Sequence, residues 1–163
     1  MPAIGIGTGI TETSTTQLHD LGLEVEIRAS TATAQGNGLQ VWVYVQNGDV
    51  SSFTAGMLIQ RKASTTTKIG AISIQGTLKA PQAYIGVAQH TIAAGSYGWI
   101  LKKGWGTILT DDTGVTANQS LIAGNNAAGS FDSSATATTA ALGFAPTAVG
   151  ASTTGSAWIN IPG

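Results

Sequence analysis

Hydrophobic and polar positions alternate with a period of two wherever this chain carries its larger side chains, and that spacing predicts strands. Leu23-Glu24-Val25-Glu26-Ile27-Arg28 places Leu23, Val25 and Ile27 on one face and the charges on the other. Leu39 to Gln46 alternates again, but here both faces are substantial. Leu39, Val41, Val43 and Val45 stand opposite Gln40, Trp42, Tyr44 and Gln46. A strand with Trp42 and Tyr44 on its second face needs cover there as well, from another strand, an arm or a partner. Asn47-Gly48-Asp49 then turns the chain. Phe53 to Ile59 and Ile69 to Ile74 add two short runs, and Trp158-Ile159-Asn160-Ile161 reads as a closing strand. Tyr84 to Gly106 concentrates the aromatics around Ala93-Ala94-Gly95-Ser96, and its pattern predicts two strands joined by a glycine turn.

Short strands with turn signals at intervals of about ten residues favour a barrel or sandwich over any helical plan. Helix signals are scarce. Gly76 to Gln82 is cut short by Pro81, and the alanine-rich Ser133 to Leu142 is weakened by its threonines. Residues 1–22, rich in Gly and Thr, carry too few large apolar side chains to close a core and read as an extended N-terminal arm. The expected organisation is that arm followed by one all-β domain over residues 23–163, a small β-barrel, β-tulip-like or sandwich body. Residues 124–157, rich in Ala, Thr and Gly, are its least patterned part.

Composition changes the picture of the surface. Of 163 residues only 9% are charged, and 22 are glycine, against roughly 25% charge in an ordinary soluble domain. A surface of Thr, Ser and Ala is weakly solvated and cheap to bury, which suits a protein packed against copies of itself or a larger partner. A net charge of −1 and a pI near 6.0 remove the electrostatic footprint of a nucleic-acid binder. Arg61-Lys62, Lys68, Lys79 and Lys102-Lys103 form local basic groups, with acids at Glu12 to Glu26 and at Asp111-Asp112. Such patches either pair between neighbouring subunits or are simply solvated. With no cysteine there is neither a disulfide framework nor a thiolate metal site. Met1-Pro2-Ala3-Ile4-Gly5-Ile6 lacks the basic start and apolar run of a signal peptide, and no stretch approaches the roughly 18 apolar residues of a membrane span. The expectation is a protein made in a cytoplasm, with no membrane partner.

Candidate chemistry is thin. Only His19 and His90 offer the usual general base, and no Gly-x-Ser-x-Gly elbow is present. His90 lies at the end of an apolar run and is expected to be structural, and His19 sits in the arm. Glu24 and Glu26 share a strand face, but their alternating setting fits a solvated sheet surface better than an acid and nucleophile pair. Asp111-Asp112-Thr113-Gly114 lacks the spacing of a calcium loop, and a turn whose first carboxylate bonds its own backbone accounts for it. Gly5-Ile6-Gly7-Thr8-Gly9 follows no strand and opens no helix, so it is not a nucleotide fingerprint. Trp42, Trp99, Trp105 and Trp158 remain candidates for a carbohydrate platform, with packing the better account for at least three of them. No residue is assigned a catalytic, cofactor-binding or metal-binding role, and the chain is expected not to be an enzyme.

Leu21-Gly22-Leu23-Glu24-Val25, Val43-Tyr44-Val45-Gln46-Asn47-Gly48, Thr54-Ala55-Gly56 and above all Ile85-Gly86-Val87-Ala88 leading through Ala94-Gly95-Ser96-Tyr97-Gly98-Trp99-Ile100 resemble the small virion proteins of tailed phages, specifically head decoration or cement proteins. The similarity runs in order over roughly residues 20–110 and weakens beyond, where Leu142-Gly143-Phe144-Ala145 echoes it. The resemblance implies a β-barrel or β-tulip body on the outside of a capsid, often a homotrimer. Its arm would contact the shell, its partner would be the major capsid protein, and it would have no cofactor and no enzymatic activity. Two other classes stay open. One is a carbohydrate- or receptor-binding module of a head or tail fibre, and the other is a tail-tube or head-completion protein.

Overall fold

The computed structural model describes residues 9–28, 38–62, 69–72, 81–136 and 141–162. These form an all-β domain of ten strands: β1 (Glu24–Arg28), β2 (Leu39–Asn47), β3 (Leu58–Arg61), β4 (Ile69–Ile72), β5 (Tyr84–Val87), β6 (Tyr97–Leu109), β7 (Gln119–Ala123), β8 (Phe131–Ser134), β9 (Gly143–Ala145) and β10 (Thr154–Asn160). They join one sheet in the order β1-β2-β4-β3-β5-β6-β10-β9-β7-β8. All pairings are antiparallel except β2 with β4.

The sheet as a whole is not closed into a barrel, since β1 and β8 stand at its two ends. Part of it nevertheless curls onto itself. Besides its neighbours in that order, β2 pairs with β6 from Val41↔Lys103 to Gln46↔Tyr97, so the pairings β2–β4, β4–β3, β3–β5, β5–β6 and β6–β2 return to their starting strand. Successive residues of a strand in such a curl go to different cores. Val43, Val45, Ile59, Ile85 and Ile100 join Phe53 and Ile92 in the smaller cluster, while Trp42, Tyr44, Leu58, Trp99 and Leu101 belong to the larger one with Leu121, Phe131 and Ile159. This division is why Leu39 to Gln46 carries large side chains on both faces.

The turn at Ala93-Ala94-Gly95-Ser96 is present, with the Ser96 amide donating to the Ala93 carbonyl at 3.0 Å and Gly95 at φ +75°. The simple hairpin expected around it is not. β5 and β6 share a single paired position, Val87↔Leu101. Ile92 bridges to Phe53 instead, and β6 forms its long ladders with β2 and β10. Local alternation marks a strand but carries no information about which distant strand it will pair with. Phe53 to Ile59 likewise divides: a Thr54–Met57 turn separates the Phe53 bridge from β3. Gly56 in that turn has φ +89°, and an added Cβ would lie 2.6 Å from the Leu109 amide nitrogen, so only glycine allows the turn to seat on the end of β6. Its amide donates to the Ala88 carbonyl at 2.7 Å, and its carbonyl accepts from the Leu109 amide at 2.9 Å.

Of the two helix candidates, Pro81–Ala83 forms one 3-10 turn, while Ser133 and Ser134 end β8 and Leu142 immediately precedes β9. Residues 73–80 and 137–140 lie outside the described residues. The closing strand is observed as β10, inserted between β6 and β9.

Candidate interaction surfaces

The N-terminal segment covers the aromatic face. Ser14 and Tyr97 exchange backbone hydrogen bonds at 3.1 and 2.8 Å, and the Gly22 amide donates to the Tyr44 carbonyl at 2.8 Å. Between these ties the His19 ring lies edge-on to Tyr44 at 5.1 Å and tilted over Trp99 at 5.3 Å. Tyr44 in turn meets Trp99 at 5.1 Å and stacks with Tyr97 at 6.2 Å. The Tyr44 hydroxyl accepts from the Leu18 amide at 3.2 Å. Ile10, Leu21 and Leu23 pack against the larger core cluster. The cover that Trp42 and Tyr44 require is thus supplied in part by the chain's own arm. His19 acts there as an aromatic plate, a role the polar composition of the arm concealed. Beside it Gln17, Leu18, His19, Asp20 and Leu23 line an open cleft of about 380 Å³.

The four tryptophans separate into two kinds. Trp42 and Trp99 are buried at 4% and 0% exposure and belong to the larger core cluster. Trp105 and Trp158 are half-buried, cross-strand partners on β6 and β10, with their rings edge to face at 5.7 Å. Phe144 on β9 is the next partner of Trp158 and is 41% exposed.

Asp111 forms the expected turn. Its Oδ1 accepts from the Thr113 amide at 3.0 Å and from the Thr113 hydroxyl at 2.6 Å. The carboxylate is fully buried, and Oδ2 has no hydrogen-bond partner among the described residues. No group of three or more His, Asp or Glu side chains is placed to hold a metal ion among those residues. Glu24 is drawn to Lys102 at 2.7 Å, so that acid and base pair within one chain, while Glu26 is exposed. With Glu24 partly exposed, the pair contributes little to stability. Gly5 to Gly9, apart from Gly9 itself, and the lysines at 68 and 79 fall outside the described residues.

Both ring nitrogens of His90 are buried without a hydrogen-bond partner among the described residues. Burial holds its pKa below the ordinary 6.5, because the charged ring would lose its hydration. As pH falls the unfolded chain takes up this proton first, so stability is full above about pH 6.5 and declines below it. The urea midpoint is expected to drop between about pH 7.5 and about pH 5.5, and His90→Gln to flatten that slope. A slope unchanged by the substitution would assign the effect to other groups.

No family model matches the sequence, and no curated protein matches it. Among solved structures, the chain is similar to the crystal structure of the head fiber gp8.5 N base in bacteriophage phi29, with a TM-score of 0.49 and 15% sequence identity over 72% of this chain and 93% of that one. At that score and identity the likeness assigns neither fold nor function to this chain.

Proposed function

We propose that this chain is a structural protein of a tailed-phage head, a decoration or cement protein that binds the major capsid protein from outside as a homotrimer. The observation that carries this reading is the way the N-terminal segment is fastened. Residues 9–22 are tied to β6 through Ser14 and to β2 through Gly22, with the His19 plate between, so the chain ahead of Gly9 starts from a point fixed on the body. A segment anchored in this way transmits load from whatever it binds directly into a sheet. An extended segment gains main-chain hydrogen bonds when it adds to a neighbour's free strand edge. The sparsely charged surface, with 9% charged residues, adds a low desolvation cost for burial against a shell.

The mechanism is mechanical. Pressure from packaged DNA pulls capsid subunits apart, and a trimer bridging several of them fails only when all its contacts release together, so modest interfaces multiply. No turnover chemistry enters this reading.

The test is co-sedimentation with purified expanded capsids, with the bound protein located by electron microscopy. Deleting residues 2–20 would uncover Tyr44 and Trp99, so the informative deletion is confined to residues 2–8. The full chain is expected to occupy the outer capsid surface as trimers, and the deletion to keep its melting temperature while losing capsid binding. Absence of the full chain from capsids would overturn the proposal, and undiminished binding by the deletion would remove the arm from it.

A further inference from the structure

One sheet face carries a row of aromatic residues with no role in the core. In register across three strands stand Trp105 on β6, Trp158 on β10 and Phe144 on β9. The row continues as Ser120 on β7 and Ser134 on β8. On one side it is flanked by the pair Lys103 and Asn160, on the other by Thr107 and Ser156. Phe144, Lys103, Asn160 and Ser156 are exposed. Gly38 closes one margin of the row, since a Cβ built there would lie 3.6 Å from Trp105 Cδ1 and 3.8 Å from Trp158 Cζ3.

We propose that this row is a binding site for a neutral glycan. A protein-binding patch has a broad apolar core inside a polar rim, whereas this apolar strip is narrow, with hydrogen-bonding side chains on both sides of its two tryptophans. A pyranose ring has the matching chemistry: its axial C–H faces lie on an aromatic ring, and its equatorial hydroxyls reach sideways to amides, hydroxyls and an ammonium. Three in-register positions span ~10 Å, twice the ~4.8 Å between strands, which is the reach of a disaccharide. The indoles of Trp105 and Trp158 are 76° apart, so they form a floor and a wall that hold a chain's bend or end. Lys103 is the one charged residue among the four flanking positions, and the other three, Asn160, Thr107 and Ser156, offer neutral amide and hydroxyl groups suited to sugar hydroxyls. The row lies at Trp105, Trp158 and Phe144, whereas residues 9–22 are tied to Tyr97 and Tyr44, so a ligand on the row leaves those ties untouched.

The probes are cellohexaose, maltohexaose and chitohexaose, titrated into the full chain by calorimetry and followed by tryptophan fluorescence. Trp42 and Trp99 are buried, so a change in emission reports on Trp105 and Trp158. At least one hexasaccharide is expected to bind, and Phe144→Ala to weaken it about tenfold, as the loss of one stacked ring, with its melting temperature unchanged because Phe144 lies on the surface. Three outcomes would overturn the assignment: no heat or emission change with any of the three sugars, equal affinity in Phe144→Ala, or self-association of the full chain that the same substitution abolishes. The last would identify the row as a contact between copies.

Discussion

Trp99→Ala is expected to cost ~3–5 kcal/mol, the usual loss for deleting a buried aromatic side chain, out of a total that for domains of this kind is about 5–15 kcal/mol. Trp99 has 0% exposure and meets both Tyr44 and the His19 plate of the N-terminal segment. Its removal therefore both opens a cavity and takes away the surface on which the segment rests. Urea unfolding should show a large fall in midpoint, and limited proteolysis under native conditions should cut within residues 9–22 faster than in the parent. Trp99→Phe separates packing from polarity. The indole Nε1 is buried with no hydrogen-bond partner among the described residues, so losing it leaves no orphaned acceptor. A ring of similar shape should cost less than ~1.5 kcal/mol. A Trp99→Ala protein that melts like the parent would show that the aromatic cluster does not fasten the segment.

Removing residues 158–163 is expected to abolish soluble folding. Among the described residues β10 is the strand whose ladders join β6 to the β9-β7-β8 end of the sheet, with the isolated Thr110↔Phe131 bridge beside them. The truncation deletes Trp158 and Ile159 from both ladders at once and Asn160 from the β6 ladder, together with the Ile161 amide bond to the Lys102 carbonyl at 3.0 Å. Ile159 and Ile161 are buried at 0% and 3% exposure, and each contributes roughly 1.5–3 kcal/mol of hydrophobic burial. Their loss would come on top of the unpaired main-chain groups left on β6 and β9, each costly if kept from water. Expression as a solubility-tagged fusion followed by tag removal provides the measurement, with precipitation the expected result. A truncated protein that stays soluble and unfolds cooperatively would mean that the β7–β9 part is held by other contacts.

Much of the strand content was legible because alternation is a local signal. Leu23 to Arg28, Leu39 to Gln46 and Trp158 to Ile161 needed only the two-residue period of a pleated chain, and β1, β2 and β10 lie on those residues. The Asp111 turn was legible for the same reason, since a carboxylate bonding an amide two residues on is decided within four residues. The partners of β6 were not. Its neighbours β2 and β10 come from opposite ends of the chain, and the hairpin spacing around Gly95 pointed to β5 instead.

The sequence by itself determined the all-β class, the turns and the need for cover over Trp42 and Tyr44, because each follows from side-chain period and backbone preference over a few residues. Only the tertiary structure decided what supplied that cover, which placed His19 over Trp99, and how the four tryptophans divide between core and surface. Those outcomes depend on the curl that brings β2 onto β6 and on the insertion of β10 beside it. Pairing between distant segments is governed by the packing of the whole chain, and no window along the sequence contains it.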